Sequence, residues 1–481
     1  MASENPPRPT RVRYGVMVLA TFVAILLYLD RYCLSTADRN IKEELELSEA
    51  QMANVLGAFF LTYALCQIPF GFLSDLYGPR KMLTFYMLIW SALTGFIGLA
   101  RGYVDLLLFR LGCGMFEAGA YPACAGIIRR WMPYPQRGLA SGIVSLGGRI
   151  GGTITPKLTA LLMVAFVVWY PVGSWRPVML IYGLFGIGLA AVFWWIYRDS
   201  PREHPACNGA EAELILSDDP NPRGHDRAAP VGRLVVGALS NVSLWLCSLV
   251  QFGVNFGWVF LITYLNRYLD EVHHVPIETR GTMSSLVIGI SLPALIVGGW
   301  LTDRITKGLG QRWGRCLPLA LTRFVSAAAF LAVPVLDDPW LIVCLLGAVA
   351  FFSDLGLPAL WAYNMDVGGR NVGFVLGWGN MWGNLGAAVS PVALNLIVQH
   401  FLNQGESAKF AWDAVFLTCG SVFVVIGVAA LGIDATKRVN IGADLPEHIE
   451  QALADDDRTE LLTDQTEVIA PPSSDVIRKH E

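Results

Sequence analysis

The sequence predicts an all-α membrane protein whose twelve transmembrane helices form two pseudo-symmetric six-helix bundles. Three observations carry that prediction. Only 15% of the 481 residues are charged and 54% are hydrophobic, with a mean hydropathy of +0.48, whereas a soluble domain is about a quarter charged. A soluble fold of this balance would expose far too much apolar surface, and the composition also excludes a disordered chain, a collagen-like fibre and a disulfide scaffold. Apolar runs of about 20 residues, the length that crosses a hydrocarbon core, recur twelve times. The chain also repeats itself: GFLSDLYGPRK (71–81) follows the second run and GGWLTDRITKG (298–308) the eighth, with Gly71 and Gly299 each four residues before an Asp and 228 positions apart. A duplicated six-helix unit is the simplest source of that echo.

In chain order, residues 1–13 are a short basic tail, and the runs near 14–35, 52–74, 81–100, 104–128, 138–166 and 176–197 form the first bundle (14–197). The 14–35 run is read as a spanning helix and not a cleaved signal peptide, because further runs follow it. Residues 198–242 are a polar linker. Runs near 243–268, 281–303, 316–336, 340–364, 371–400 and 411–433 form the second bundle (243–433), and 434–481 is a polar tail expected to be disordered, with one short helix on the face of Leu445, Ile449 and Leu453. Runs 138–166 and 371–400 are long for one crossing and rich in Gly. Alternate loops carry twenty Lys and Arg against seven, which places both termini and the linker in the cytoplasm, with 36–50 outside, in a plasma (inner) membrane.

Several motifs resemble a known family. GFLSDLYGPRK resembles the gating loop of the major facilitator superfamily, matching at Gly71, Asp75, Gly78, Arg80 and Lys81 and departing at Leu76, where a basic residue is usual; Gly299, Asp303 and Arg304 form the second copy. YLDRYCLS (28–35), YALCQIPFG (63–71), FRLGCGMFEAGAYPA (109–123) with RRWMP after it, and RDSPREHP…NGAEAELI after the sixth run resemble signatures of the anion:cation symporter branch. That branch includes bacterial galactonate, glucarate and hexuronate permeases and the sialin and vesicular glutamate carriers. The resemblance covers about residues 13–435 and implies the major facilitator fold, with a site at the bundle interface and alternating access by rocking of the bundles.

Ionisable residues inside the spans are the informative ones, since each costs about 2.5–3.5 kcal/mol at a helix centre unless a partner or a wet cavity relieves it. Asp30 and Arg31 lie in run 1 and point apart, while Arg110 and Glu117 in run 4 are seven apart, about 10 Å along one face. A neutral arrangement pairs Asp30 with Arg110 and Arg31 with Glu117, and the resemblance implies the same pairs in proton coupling and substrate binding. Two static salt bridges fixing helix register are the competing reading. On the functional one, Arg31 anchors a substrate carboxylate, Glu117 loses its partner and takes a proton, and proton and anion move together; Asp30, Arg110 and Glu117 are then the proton-coupling set.

Arg149 in LGGRIGG is either a second acid-binding group or a residue that snorkels or pairs with an unidentified acid. Lys157 lies nearer the outer mouth, with snorkelling equally open, and Arg323 reads as structural. Asp354 opposes a cationic group, binds sodium or serves as another proton site. Tyr28 shares a face with Arg31, Tyr63 shares one with Gln67, and GLPALWAYN and GWGNMWGNLG supply Trp361, Asn380 and Asn384. The resemblance implies that Tyr28, Tyr63, Trp361 and Asn380 touch a sugar acid's hydroxyls or ring, a role that amides suit, although most of the fifteen Trp must serve packing. Pro358 falls where sugar-acid permeases can place a hydroxyl.

The nine Cys show no ligand spacing and read as small apolar residues in a reducing compartment; there is no Walker loop, no HExxH and no nucleophile–base set, and a net charge of −4 gives no sign of nucleic-acid binding. The Asn241-Val-Ser sequon falls on the cytoplasmic side and is set aside. The sequence therefore predicts no enzyme and no cofactor, but a monomeric secondary transporter that binds a small organic anion (a sugar acid or other carboxylate) within the bilayer and moves it with protons, sodium remaining open. Proton-driven export of a drug or metabolite is the first alternative, and a receptor that binds without transport the second.

Overall fold

The computed structural model describes residues 8–170, 173–216 and 230–439, so the helix expected around Leu445 lies outside the described residues. The first half comprises α1 (Val12–Leu45), α2 (Glu49–Tyr77), α3 (Pro79–Ile97), a crossing broken into α4 (Tyr103–Glu117) and α5 (Ala120–Trp131), α6 (Arg137–Phe166) and α7 (Trp175–Ile196). Two short helices follow, α8 (Gly209–Leu216) and α9 (Val231–Ser240). The second half comprises α10 (Val242–Val259) joined through a π turn (Phe260–Tyr264) to α11 (Leu265–Glu271), α12 (Ile277–Ala332), α13 (Pro339–Leu355) with α14 (Leu357–Gly368), α15 (Val372–Asn403) and α16 (Ala408–Leu431). Eight apolar helical segments are long enough to cross a membrane, and two of them, 58 and 65 residues long, each hold two crossings. With α3 and α6 packed among them, the described residues make twelve crossings, and the protein is an integral membrane protein.

The two halves repeat the same packing. In the first, α1 lies along α6 and α3 along α7; in the second, α10 lies along α15 and the end of α12 along α16. The glycine-rich runs explain two of these contacts. A Cβ at Gly151 would stand 2.5 Å from the Ile25 carbonyl oxygen, and one at Gly386 would stand 2.2 Å from that of Phe252, so only glycine lets each pair of backbones meet. The halves touch through α2 with α15 and through α6 with α12, again a symmetric exchange.

α1 runs about ten residues beyond the predicted span, through TADRNIKEEL, a stretch expected to be loop. Ion pairs Arg39–Glu43 at 2.8 Å and Asp38–Lys42 at 3.2 Å, four residues apart, carry the helix out of the apolar run. Ser48 and Gln51 then start α2 with reciprocal capping bonds. Within the linker, Glu211 on α8 accepts from the backbone N–H groups of Val12 (3.1 Å) and Arg13 (3.2 Å) and pairs with the Arg13 side chain at 2.9 Å. A carboxylate thus caps the start of α1 from about 200 residues away in the sequence.

Candidate functional site

Two aspartates close one end of the molecule, the end that carries the basic loops. Asp75, at the end of α2, accepts from Gly373 N (2.9 Å) and Phe374 N (2.8 Å) in the first turn of α15. Asp303 in α12 accepts from Gly138 N and Leu139 N, both at 2.9 Å, in the first turn of α6. Each carboxylate therefore caps a helix of the opposite bundle, where unsatisfied N–H groups and the positive end of the dipole favour an anion. Glycines make this approach possible: a Cβ at Gly71 would stand 2.2 Å from the Gly373 oxygen, and one at Gly299 would stand 2.6 Å from the Gly138 oxygen. Gly78 turns the chain into α3 at φ +88°, and Arg80 donates to the Trp194 carbonyl at 2.9 Å. Leu76 is exposed, and the Arg304 guanidinium lies over the Trp300 ring rather than in the cap. The hydrogen bonds that Asp75, Asp303 and Arg149 make between the bundles, and the close glycine approaches at Gly71, Gly142 and Gly299, lie from this basic end to the middle of the helices. The structure is closed at that end.

At mid-membrane the first half gathers its charges around Arg31. Its guanidinium lies 4.4 Å from the Tyr63 ring centre and 5.1 Å from those of Tyr28 and Phe59. The fully buried Glu117 is 3.6 Å away, long for an ion pair, and neither of its oxygens has a hydrogen-bond partner. Glu117 is the last residue of α4, where the crossing breaks. Pro122 has no N–H to give the Ala118 carbonyl, and a Cβ at Gly119 would collide with the Tyr86 ring at 2.3 Å.

The expected Asp30–Arg110 pair does not form. Asp30 instead accepts from the indole N–H of Trp90 on α3 at 3.0 Å, and the Arg110 guanidinium lies over Phe59 at 4.4 Å. Trp90 is fully buried and reaches Asp30 first, while the Phe59 ring takes up the face of Arg110. Neither partner had a sequence signal, since each sits in an ordinary apolar run.

The second half meets this cluster across the interface. Arg149 on α6 pairs with Asp354 on α13 at 2.7 Å, and its guanidinium lies 4.0 Å over Trp258 on α10. Asp354, like Glu117, sits beside a helix break, before Gly356 and Pro358. Of the alternatives left open for Asp354, it takes the cationic partner, and Arg149 takes an acid 205 residues away. Trp361 packs edge-on against Tyr121 at 5.1 Å, and Tyr121 meets Tyr28 at 6.4 Å, so aromatic rings join the two charge clusters. Gln67 is buried with neither amide atom bonded, whereas Asn384 gives its amide N–H to the Asn380 carbonyl at 2.8 Å. Lys157 is exposed on the half of α6 away from the closed end.

Residues 20–391 match the Major Facilitator Superfamily. The chain belongs to that superfamily. It is a membrane transporter and not an enzyme. It is 28% identical over 446 residues to the probable sulfoacetate transporter SauU of Cupriavidus necator, covering 91% of this chain and 97% of the relative. It is likewise 28% identical to two Escherichia coli proteins, the probable L-galactonate transporter (82% and 85% covered) and the probable galactarate/D-glucarate transporter GarP (88% and 95%). Among solved structures, the human organic anion transporter MFSD10 superposes with a TM-score of 0.63 at 16% identity, covering 89% of this chain and all of that one. An inward-facing bacterial Spinster homologue superposes at 0.58 with 20% identity, covering 88% and 99%. At these identities the superpositions speak for the fold alone.

Proposed function

We propose that this superfamily member imports a small organic anion together with protons across the inner membrane, working as a single chain by alternating access. One observation carries the reading: Arg31, 11% exposed at its side chain, sits in an aromatic cage of the first bundle and is held only loosely by Glu117 at 3.6 Å. An always-charged planar fork with an incomplete partner suits an incoming carboxylate. The relatives' names support the substrate class, since sulfoacetate, galactonate and glucarate are all organic acids. The basic loops set the closed end toward the cytoplasm, so the anion enters from outside. As it takes Arg31, Glu117 is left buried and unpaired and accepts a proton. Tyr28, Tyr63, Gln67, Trp361 and Asn380 offer hydroxyl, amide and ring contacts to the rest of the substrate. Asp75 and Asp303 hold the cytoplasmic gate and release it when the bundles rock; Asp30, turned from Arg110 to Trp90, belongs to the scaffold in this state.

The test uses purified protein in liposomes loaded with a pH dye, given sulfoacetate, L-galactonate and D-glucarate in turn, first without sodium and then with it, with uptake of each acid measured alongside. Acidification of the lumen by one of these acids, lost in Glu117→Gln, is the expected result. Uptake that needs sodium and moves no protons would overturn proton coupling, and failure of all three acids in folded protein would overturn the anion reading.

A further inference from the structure

The Arg149–Asp354 pair differs from an ordinary buried salt bridge in three ways. It joins residues of opposite bundles, so it must break whenever the bundles separate at that level. Its acid is not saturated: Asp354 is 3% exposed at its side chain, and its second oxygen is buried without a hydrogen-bond partner. A second guanidinium also waits beside it. Arg323, 1% exposed, donates from Nη2 to the carbonyl of Ser353, the residue before Asp354, at 3.0 Å, and its Nε and Nη1 are buried without partners. Arg323 fills the notch of the α13–α14 break, where a Cβ at Gly356 would stand 2.3 Å from its Nη2. Asp354 thus has one cation across the interface and another within its own bundle.

Arg149 and Arg31 flank one side chain. Arg31 lies 5.1 Å from the Tyr28 ring centre, and the glycines beside Arg149 press on the same residue, where a Cβ at Gly148 would stand 2.7 Å from the Tyr28 ring. Among the described residues, the charges in and beside these two clusters are four arginines (Arg31, Arg110, Arg149, Arg323) against three acids (Asp30, Glu117, Asp354). One excess positive charge, plus one proton taken up with the substrate, is balanced by two negative charges.

We propose that Arg149 is a second acid subsite and that the substrate is an organic dianion, one acid group on Arg31 and the other taking the place of Asp354 on Arg149, while Asp354 turns to Arg323. This rests on the anion-import reading above. The hand-off breaks the cross-bundle tie only when a diacid is bound, and it leaves neither Asp354 nor the substrate's acid groups without a cation.

Binding of matched acids to purified full-length protein tests this: D-glucarate against D-gluconate, and sulfoacetate against glycolate, each pair differing in its second acid group. In the wild type the diacid of at least one pair binds about tenfold or more tighter than its monoacid, the worth of one charge-assisted contact. Arg149→Gln removes that preference, costing the diacid about tenfold or more relative to its monoacid. Asp354→Asn, which removes the competitor, raises diacid affinity. The double variant Arg149→Gln/Asp354→Asn leaves no charge of the pair buried alone and also lacks the preference, so loss through misfolding of a single variant is recognised. Equal affinity for both acids of each pair in the wild type, or an equal fall for both in Arg149→Gln, overturns the second subsite while the anion reading stands. Binding of none of the four acids overturns both.

Discussion

The two arginine–carboxylate pairs at the centre of this transporter, each with a buried acid, share their chemistry but not their geometry. Arg31 and Glu117 belong to one bundle and stand 3.6 Å apart, whereas Arg149 and Asp354 belong to opposite bundles and stand 2.7 Å apart. Each acid lies beside a proline- and glycine-marked break, Glu117 before Pro122 and Asp354 before Pro358. A pair within one rigid bundle keeps its geometry as the bundles rock, so its state is set by ligand and proton. On the proposed alternating access, a pair between bundles is remade in every cycle, so its state also reports conformation. The loose pair is suited to exchanging partners and the tight one to tying the closed end shut.

The largest expected effect separates the two arginines. Arg31→Gln should lower affinity for mono- and diacids alike by about a hundredfold or more, the loss of a buried charged contact, with its thermal midpoint measured alongside to show that the protein folds. Equal losses of monoacid binding in Arg31→Gln and Arg149→Gln would erase the distinction between the pairs.

A smaller effect probes the symmetry of the closed end. Asp75→Asn and Asp303→Asn each lose the charge that caps a helix, about 1.5–3 kcal/mol for a hydrogen bond to a charged group. Either substitution should move the population about tenfold or more toward opening at the basic end, read as a longer distance between spin labels placed across it. A response to only one of the two would show that the gates are not equivalent.

The smallest effect concerns a carboxylate outside the membrane, the counterpart of those within it. Burial pushes Glu211 upward, but hydrogen bonds from Thr10, Arg13 and Val12 outweigh it and hold the carboxyl below its ordinary value. The stability it gives is therefore present above the unfolded carboxylate value, about 4.3, and is lost as pH falls through the lower folded value. Amide exchange at Val12 and Arg13 should stay slow from pH 7 to pH 5 in the wild type and be faster in Glu211→Gln across that range. Exchange in the wild type that accelerates already between pH 7 and pH 5 would remove this role.

The legible part of the molecule was the part that depends on local composition. The apolar runs gave the crossings, the repeated Gly–Asp spacing gave the two matching helix caps of Asp75 and Asp303, and the charges inside the spans stood out because hydrocarbon penalises them. Partners were harder to read. Charge balance points Asp30 to Arg110, yet a neutral indole 60 residues away holds it, because a hydrogen-bond donor satisfies a carboxylate without changing the charge count. Arg149 and Asp354 each stand out as charges in apolar runs, but no spacing links residues of different bundles. The extension of α1 was legible in its Arg39–Glu43 and Asp38–Lys42 spacing and was hidden only because hydropathy, not helix pairing, drew the boundary.

The central claim is that an anion on Arg31 and a proton on Glu117 arrive together. Calorimetric titration of the purified protein with sulfoacetate or D-glucarate, in two buffers of different ionisation enthalpy, counts the protons taken up on binding. The account predicts uptake with the wild type and none with Glu117→Gln, which should still bind the acid. Proton uptake unchanged in Glu117→Gln, or anion binding by the wild type with no uptake at all, would contradict it.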